Sequence, residues 1–153
     1  MAKHEHGEVT ITIERPVEGV FDFLADGEND KRFSKRIIEI AKTTDGPPSV
    51  GTIYRSAARD FGRTATHEFE ITAFERPTRI RWRELSKGPV VVSEGGYELR
   101  EQGAGTKLTF LTFHGDLEGH GVGRVILGFV SWRVRAGFPE FAQRIKDTIE
   151  ANI

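Results

Sequence analysis

The apolar positions of this chain change period twice. Val9, Ile11 and Ile13 alternate with Thr10 and Thr12, the period of two that a half-buried strand requires. After Pro16, which suits the first turn of a helix, Val17, Val20, Phe21 and Leu24 recur at helical spacing and stop before Asp26-Gly27. A short second helix around 29–33 and a strand over 37–41 follow, and Asp45-Gly46-Pro47-Pro48 reads as a turn. Five more alternating stretches, 52–59, 64–74, 78–85, 90–100 and 107–113, are separated by Asp60-Phe61-Gly62, Arg76-Pro77, Lys87-Gly88-Pro89 and Gly103-Ala104-Gly105. Successive antiparallel hairpins are the simplest arrangement of such a run.

The longest helical pattern comes last, over 119–153. Val122, Ile126, Val130, Val134, Phe138, Phe141, Ile145 and Ile149 fall on one stripe, preceded by a glycine-rich entry over 115–123 that is expected to be mobile. Pro139 lies inside the pattern and is expected to kink the helix or divide it. A helix of about 30 residues is about 45 Å long and outreaches a small domain, so it is expected to lie diagonally across a curved sheet. Wherever the two layers diverge, a cavity can open.

Composition narrows the class. With 153 residues the expectation is one α+β domain, 1–153, whose first seven residues form a flexible tail. A net charge of −1 offers no general attraction to nucleic acid or anionic lipid. The absence of cysteine excludes disulfides, thiolate metal sites and a thiol nucleophile. The opening MAKHEHGE carries no apolar signal segment, and the longest nearly apolar run, 125–132, is far short of the roughly 20 residues of a membrane span. A cytoplasmic location is the expectation. Eleven Phe against two Tyr and two Trp supply bulk without polar handles, which suits a core and an apolar pocket equally.

The order strand, two short helices, antiparallel strands, long terminal helix brings a resemblance with it. ITIERPVEGVFDFLADGEND, the DGPPSVGT turn, FEITAFERPTRI, and GAGTKLTF followed by a helix ending in IKDTIE resemble the START-like (SRPBCC) superfamily, in particular its polyketide cyclase/dehydrase and lipid-transport branch. The resemblance spans nearly the whole chain, through segments that mark turns and core positions and specify a fold without specifying a reaction. It implies a helix-grip (START/Bet v1-like) fold, a curved antiparallel sheet wrapped around the C-terminal helix, with a cavity for hydrophobic small molecules. One departure is Phe33, where many relatives carry Trp.

Alternation places His67, Phe69 and Ile71 on one face, with Ile80, Trp82 and Glu84, Tyr97 and Leu99, Tyr54, Thr52 and Ser56, and Phe110, Leu108 and Thr112 facing the same helix. Tyr54, His67, Phe69, Trp82, Glu84, Tyr97, Phe110 and His114 are the candidate ligand-binding residues on the strands; Phe129 and Arg133 are those on the helix, Arg133 meeting a carboxylate or hydroxyl at the rim. For any single one of these residues, packing in a filled core is the plainer role. A catalytic alternative uses His67 and Glu84 as an acid/base pair with Tyr97 polarising a carbonyl, as the resemblance to cyclases and dehydrases allows; a histidine satisfied by a neighbouring strand is the plainer reading. On the opposite faces, Glu68 and Glu70 against Arg79, Arg81, Arg83 and Arg55 are expected to form a solvated ladder of opposite charges.

Other chemistries find little support. His4 and His6 lie near the tail, and His114 and His120 flank a loop without a third ligand, so no metal is expected. Ser34, Ser49, Ser56, Ser86, Ser93 and Ser131 occupy no nucleophile elbow. Gly119-His120-Gly121-Val122-Gly123-Arg124 lacks the dinucleotide unit and reads as a hinge or lid, and Pro47 and Pro48 remove two backbone donors from a turn that would otherwise suit an anion. No cofactor and no nucleic acid are expected. The leading function is binding or carriage of a hydrophobic small molecule, a lipid, polyketide or aromatic metabolite; a cyclase/dehydrase-like enzyme acting in the same cavity is the alternative. The broad helix surface around Phe129 and Trp132 leaves a third, a protein-interaction module, and a monomer or homodimer.

Overall fold

The computed structural model describes residues 4–60, 62–86, 90–116 and 121–153, although the side chains of 4, 5, 90, 114–116, 121–124, 126, 127, 130, 131 and 134 are not described. Seven strands form one antiparallel sheet in the order β1-β7-β6-β5-β4-β3-β2. They are β1 (His4–Ile13), β2 (Ile37–Lys42), β3 (Ile53–Asp60), β4 (Arg63–Glu75), β5 (Arg79–Glu84), β6 (Val90–Gln102) and β7 (Gly105–Asp116). Consecutive strands from β2 to β7 are neighbours because short turns join them, and β1 closes the far edge against β7. Helix α1 (Val17–Ala25) and a 3-10 helix (Gly27–Arg32) carry the chain from one edge of the sheet to the other. The long helix α2 (Gly121–Asn152) covers the concave face, giving the helix-grip architecture.

The first strand begins at His4, five residues before the alternation predicts, so residues 4–7 belong to the sheet and are no tail. Pairing with β7 outweighs their polarity, since every second residue of an added edge strand gives both its N–H and its C=O a partner. Pro139 does not divide α2, which runs unbroken through it. The packing of Phe138, Ala142, Ile145 and Ile149 against the sheet holds both sides of the proline in one helix.

The core is concentrated where α1 and the last three turns of α2 meet the sheet. Ile13, Val20, Phe21, Ile145 and Ile149 are fully buried there, with Leu24, Ile80, Leu99 and Leu108 around them. Polar ties reinforce this end: Lys146 donates to the Thr12 carbonyl at 2.9 Å, and the Glu150 carboxylate accepts from the Glu14 N–H at 2.7 Å. Of the predicted α2 stripe, Phe138, Ile145 and Ile149 are buried and Phe141 is partly so; the side chains of Val122, Ile126, Val130 and Val134 lie outside the described residues. So do Gly119, His120 and the 87–89 turn.

Bulges decide strand facing. A register shift between Ile71 and Ala73 in β4 brings Phe69, Ile71 and Phe74 to the same side, and another between Val92 and Glu94 in β6 does so for Val92 and Tyr97. The β4 shift also reshapes the outer charge ladder. Arg83 pairs with Glu70 at 2.8 Å, whereas Arg81 turns to Glu94 and Glu98 on β6 and is nearly buried between them.

Candidate functional site

Above the core the two layers separate, and α2, the 3-10 helix and the sheet enclose a cavity of about 380 Å³. Its walls are aromatic: Tyr54 from β3, Phe69 from β4, Trp82 from β5, Tyr97 from β6, Phe110 from β7, and Phe33, Phe138 and Phe141 from the helical side. Tyr97 and Phe110 pack at 5.5 Å between ring centroids, Trp82 meets Tyr97 edge-on at 5.2 Å, and Phe33 meets Phe141 edge-on at 5.7 Å. Trp82 can lie flat on the sheet because its partner on β6 is Gly95, where a Cβ would come within 2.5 Å of the indole nitrogen. The rim is charged. Lys35 and Arg36 lie on one side, Arg133 and Arg144 on α2, and Glu140 ties Lys35 and Arg144 together at 3.0 and 2.8 Å.

Three polar groups of the lining residues have no hydrogen-bond partner among the described residues. Oδ1 of Asp30, in the 3-10 helix, is buried without a partner, and so is Oγ1 of Thr112 on β7. The Tyr97 hydroxyl has no hydrogen bond to a described residue. Tyr54 differs, because its hydroxyl accepts from the Gly27 N–H at 3.3 Å. Burial, and then the nearby charge of Asp26, push Asp30 up to about 8, so its carboxyl is neutral at pH 7 although the residue's outer edge reaches solvent. Burial, with a contribution from Asp30, also holds Tyr97 well above the ordinary phenol range.

A second polar group of residues lies on β3, β4 and β5. Nδ1 of His67 is 2.6 Å from Oε1 of Glu84, and Nε2 is 2.6 Å from Oδ2 of Asp60. The other Asp60 oxygen accepts from Arg36, and Oε2 of Glu84 accepts from the Val92 N–H at 2.9 Å, beside the β6 bulge. Only a doubly protonated ring donates to both carboxylates. The bond to Glu84 raises the His67 imidazole above its ordinary value, burial opposes this, and Asp60 adds to the rise. Burial would raise Asp60, but the bonds and charges of Arg36 and His67 prevail and hold it below the usual carboxylate value. With both ring nitrogens committed, His67 has no free site for taking a proton from a ligand.

Comparison with known proteins agrees with this architecture. The family described as "Polyketide cyclase / dehydrase and lipid transport" matches residues 4–150. The chain belongs to this family. Its fold is shared with TTHA0849 from Thermus thermophilus, at TM-score 0.76 and 17% identity over 96% of this chain and 98% of that one. It is shared also with Ara h 8.0201, at TM-score 0.69 and 15% identity over 98% and 100% of the two chains. The Zhui aromatase/cyclase from Streptomyces sp. R1128 matches at TM-score 0.69 and 16% identity, over 97% and 93%. Comparison with curated protein sequences returns no match. At these identities the structural likeness establishes the fold alone.

Within this member of the family, Tyr54, Phe69, Trp82, Tyr97, Phe110 and Arg133 line the cavity. His67 and Glu84 meet each other but are not among its lining residues, so the proposed trio with Tyr97 is split: one member on the wall, two in the network on the neighbouring strands. Phe129 is half exposed, beside Trp132 at 6.3 Å, and does not line the cavity. The His114 side chain lies outside the described residues. Asp30, Asp60, Thr112 and Val92 were not singled out as site residues by pattern. For Val92 the missing information is the bulge; for Asp60 it is the β3–β4 pairing that sets its strand end beside His67. Asp30 belongs to the polar run GENDKR, which gives no local sign that one of its carboxyls turns inward.

Proposed function

We propose that the protein binds a hydrophobic small molecule with an aromatic or polycyclic body in the cavity between sheet and α2. The observation that supports this is the cavity itself, about 380 Å³ bounded by eight aromatic side chains with a few unpartnered polar atoms among them. That volume lies at the smaller end of the range of about 300 to 1,000 Å³ typical of small-molecule sites. Burial of the ligand's apolar surface would supply most of the affinity, at about 25 cal/mol per Å² before the costs of association. Family membership and the aromatase/cyclase among the structural neighbours are consistent with a ligand of this kind. Carriage is preferred to cyclisation because His67, the histidine of the catalytic alternative, has both nitrogens bound to carboxylates.

Gly137 supplies a specific test. It lines the cavity on α2, and a Cβ built there meets no atom within 4 Å, so Gly137→Leu places a side chain at the mouth without a backbone clash. The same change improves helix propensity by about 1 kcal/mol. Planar aromatic compounds should raise the melting temperature of the wild type and leave that of Gly137→Leu unchanged. Compounds that stabilise both proteins equally, or neither, would remove the cavity from consideration.

A further inference from the structure

We propose that Arg100 on β6 and Lys107 on β7 form an anion site on the outer face of the sheet, fitted to a small soluble phosphate monoester with a polar body. The site lies on the face opposite the cavity beneath α2 and is independent of what that cavity holds. Its frame follows from unequal strand lengths. The β5–β6 ladder ends at Arg79 and Glu98, whereas β6 and β7 go on pairing through Arg100 and Lys107 as far as Gln102 and Gly105. The 76–78 turn closes the side that β5 leaves open, where the Thr78 carbonyl accepts from the Leu99 N–H at 2.9 Å. What results is a groove of about 450 Å³, with Glu75, Arg79, Glu98, Arg100, Lys107 and Thr109 on its walls. Alternation turns these side chains outward: Glu98 and Arg100 are exposed, while Tyr97 and Leu99 beside them are buried.

The charges of the groove are unevenly matched. Each carboxylate on its walls has a cation: Glu75 holds Arg79 at 2.8 Å, and Glu98 holds Arg81 at 2.5 Å. Arg100 and Lys107 are direct cross-strand partners, and neither has an ion pair or a side-chain hydrogen bond among the described residues. Side chains so placed start from Cβ atoms about 5 Å apart, and like charges there destabilise a sheet. Their other neighbours bring no relief. Lys107 stands beside Thr12 on β1, whose hydroxyl is given to Gln102, and Glu101 falls on the opposite face with the buried Thr106. A dianion seated between the two cations removes the repulsion, the guanidinium gripping two of its oxygens and the ammonium a third. A phosphate monoester supplies that charge and those oxygens near neutral pH. Apart from Leu99 the walls are polar, so the body of the ligand is polar too, as in a sugar or glycerol phosphate. Glu75 and Glu98 on the flank repel a longer polyanion such as a nucleic acid.

Glycerol 3-phosphate titrated into the full chain by calorimetry is the direct test, with sodium chloride at equal ionic strength as the control. The ester is expected to bind, and to raise the melting temperature beyond the chloride control. Arg100→Ala and Lys107→Ala should each weaken it about tenfold, the loss of one charge-assisted contact. Lys107→Glu separates binding from folding. It exchanges a repelling cross-strand pair for an attracting one, so the urea midpoint should rise while binding of the ester disappears. An ester no more effective than chloride would overturn the site. So would a Lys107→Glu variant that binds the ester as the wild type does, or one whose urea midpoint falls. Tighter binding of an oligothymidylate than of glycerol 3-phosphate would overturn it as well, by showing an extended surface for polyanions.

Discussion

Two groups of polar residues in this protein, one on strands β3 to β5 and one shared by the 3-10 helix, β6 and β7, are built in opposite ways. The Asp60–His67–Glu84 network closes on itself: both imidazole nitrogens, both Glu84 oxygens and both Asp60 oxygens have protein partners. The Asp30–Tyr97–Thr112 set is open, with two buried oxygens that have no partner among the described residues. Polarity that the protein satisfies itself stiffens a fold; polarity it leaves unsatisfied beside a cavity is a cost that a guest can offset. His67 and Glu84 draw the eye in the sequence as a candidate acid/base pair, yet in the structure they belong to the closed set.

The largest expected effect concerns Asp30. Its folded value of about 8 lies above the ordinary 3.8, so between those limits the folded chain keeps a proton the unfolded chain has lost. Stability should therefore fall as pH rises from about 4 to about 8, by up to roughly 1.4 kcal/mol per pH unit, and level off above. Asp30→Asn should flatten that slope in urea unfolding; an unchanged slope would show that Asp30 is not buried as a neutral acid. Next comes Glu84→Ala, which leaves the Nδ1–H of His67 and the Val92 N–H without their partner and should cost about 3 kcal/mol, measured as a drop in the urea midpoint.

His67→Gln is expected to cost less, roughly 1 to 2 kcal/mol, and only on one side of neutrality. Because its folded value is raised, the stabilisation is fully present below the ordinary 6.5 and is lost as pH rises through the folded value. The variant and the wild type should thus converge in alkaline solution and differ near pH 5.5. The smallest effect sharpens the contrast at a single atom type. Thr112→Val removes a hydroxyl with no partner and should leave stability within about 0.5 kcal/mol, whereas Thr106→Val removes the 2.8 Å bond to the Arg15 carbonyl and should cost about 1 kcal/mol. Equal losses in the two variants would mean that Thr112 is bonded after all.

Much of the fold was legible. Period-two alternation located all seven strands, missing only the first five residues of β1 by more than a few positions, and the spacing of Val17, Val20, Phe21 and Leu24 gave α1 between Pro16 and Asp26. The aromatic wall was legible for the same reason, since a strand's parity puts Tyr54, Phe69, Trp82, Tyr97 and Phe110 on the side that α2 covers. The His67–Glu84 contact was anticipated as a pair, though its third member, Asp60, and its place in a closed network were not.

What the sequence determined by itself, then, is whatever depends on near neighbours: strand period, turn positions, the apolar stripe over 138–149, and membership of a layered α+β architecture. These are local because backbone geometry repeats every two residues in a strand and about every 3.6 in a helix. Only the tertiary structure decided where α2 lifts away from the sheet, which strands carry bulges, and which of the polar residues in Gly27–Arg32 turns its carboxyl inward. Burial and missing partners are properties of atoms brought together from distant parts of the chain, and Asp30 becomes a neutral acid only when β3, β6 and the 3-10 helix enclose it.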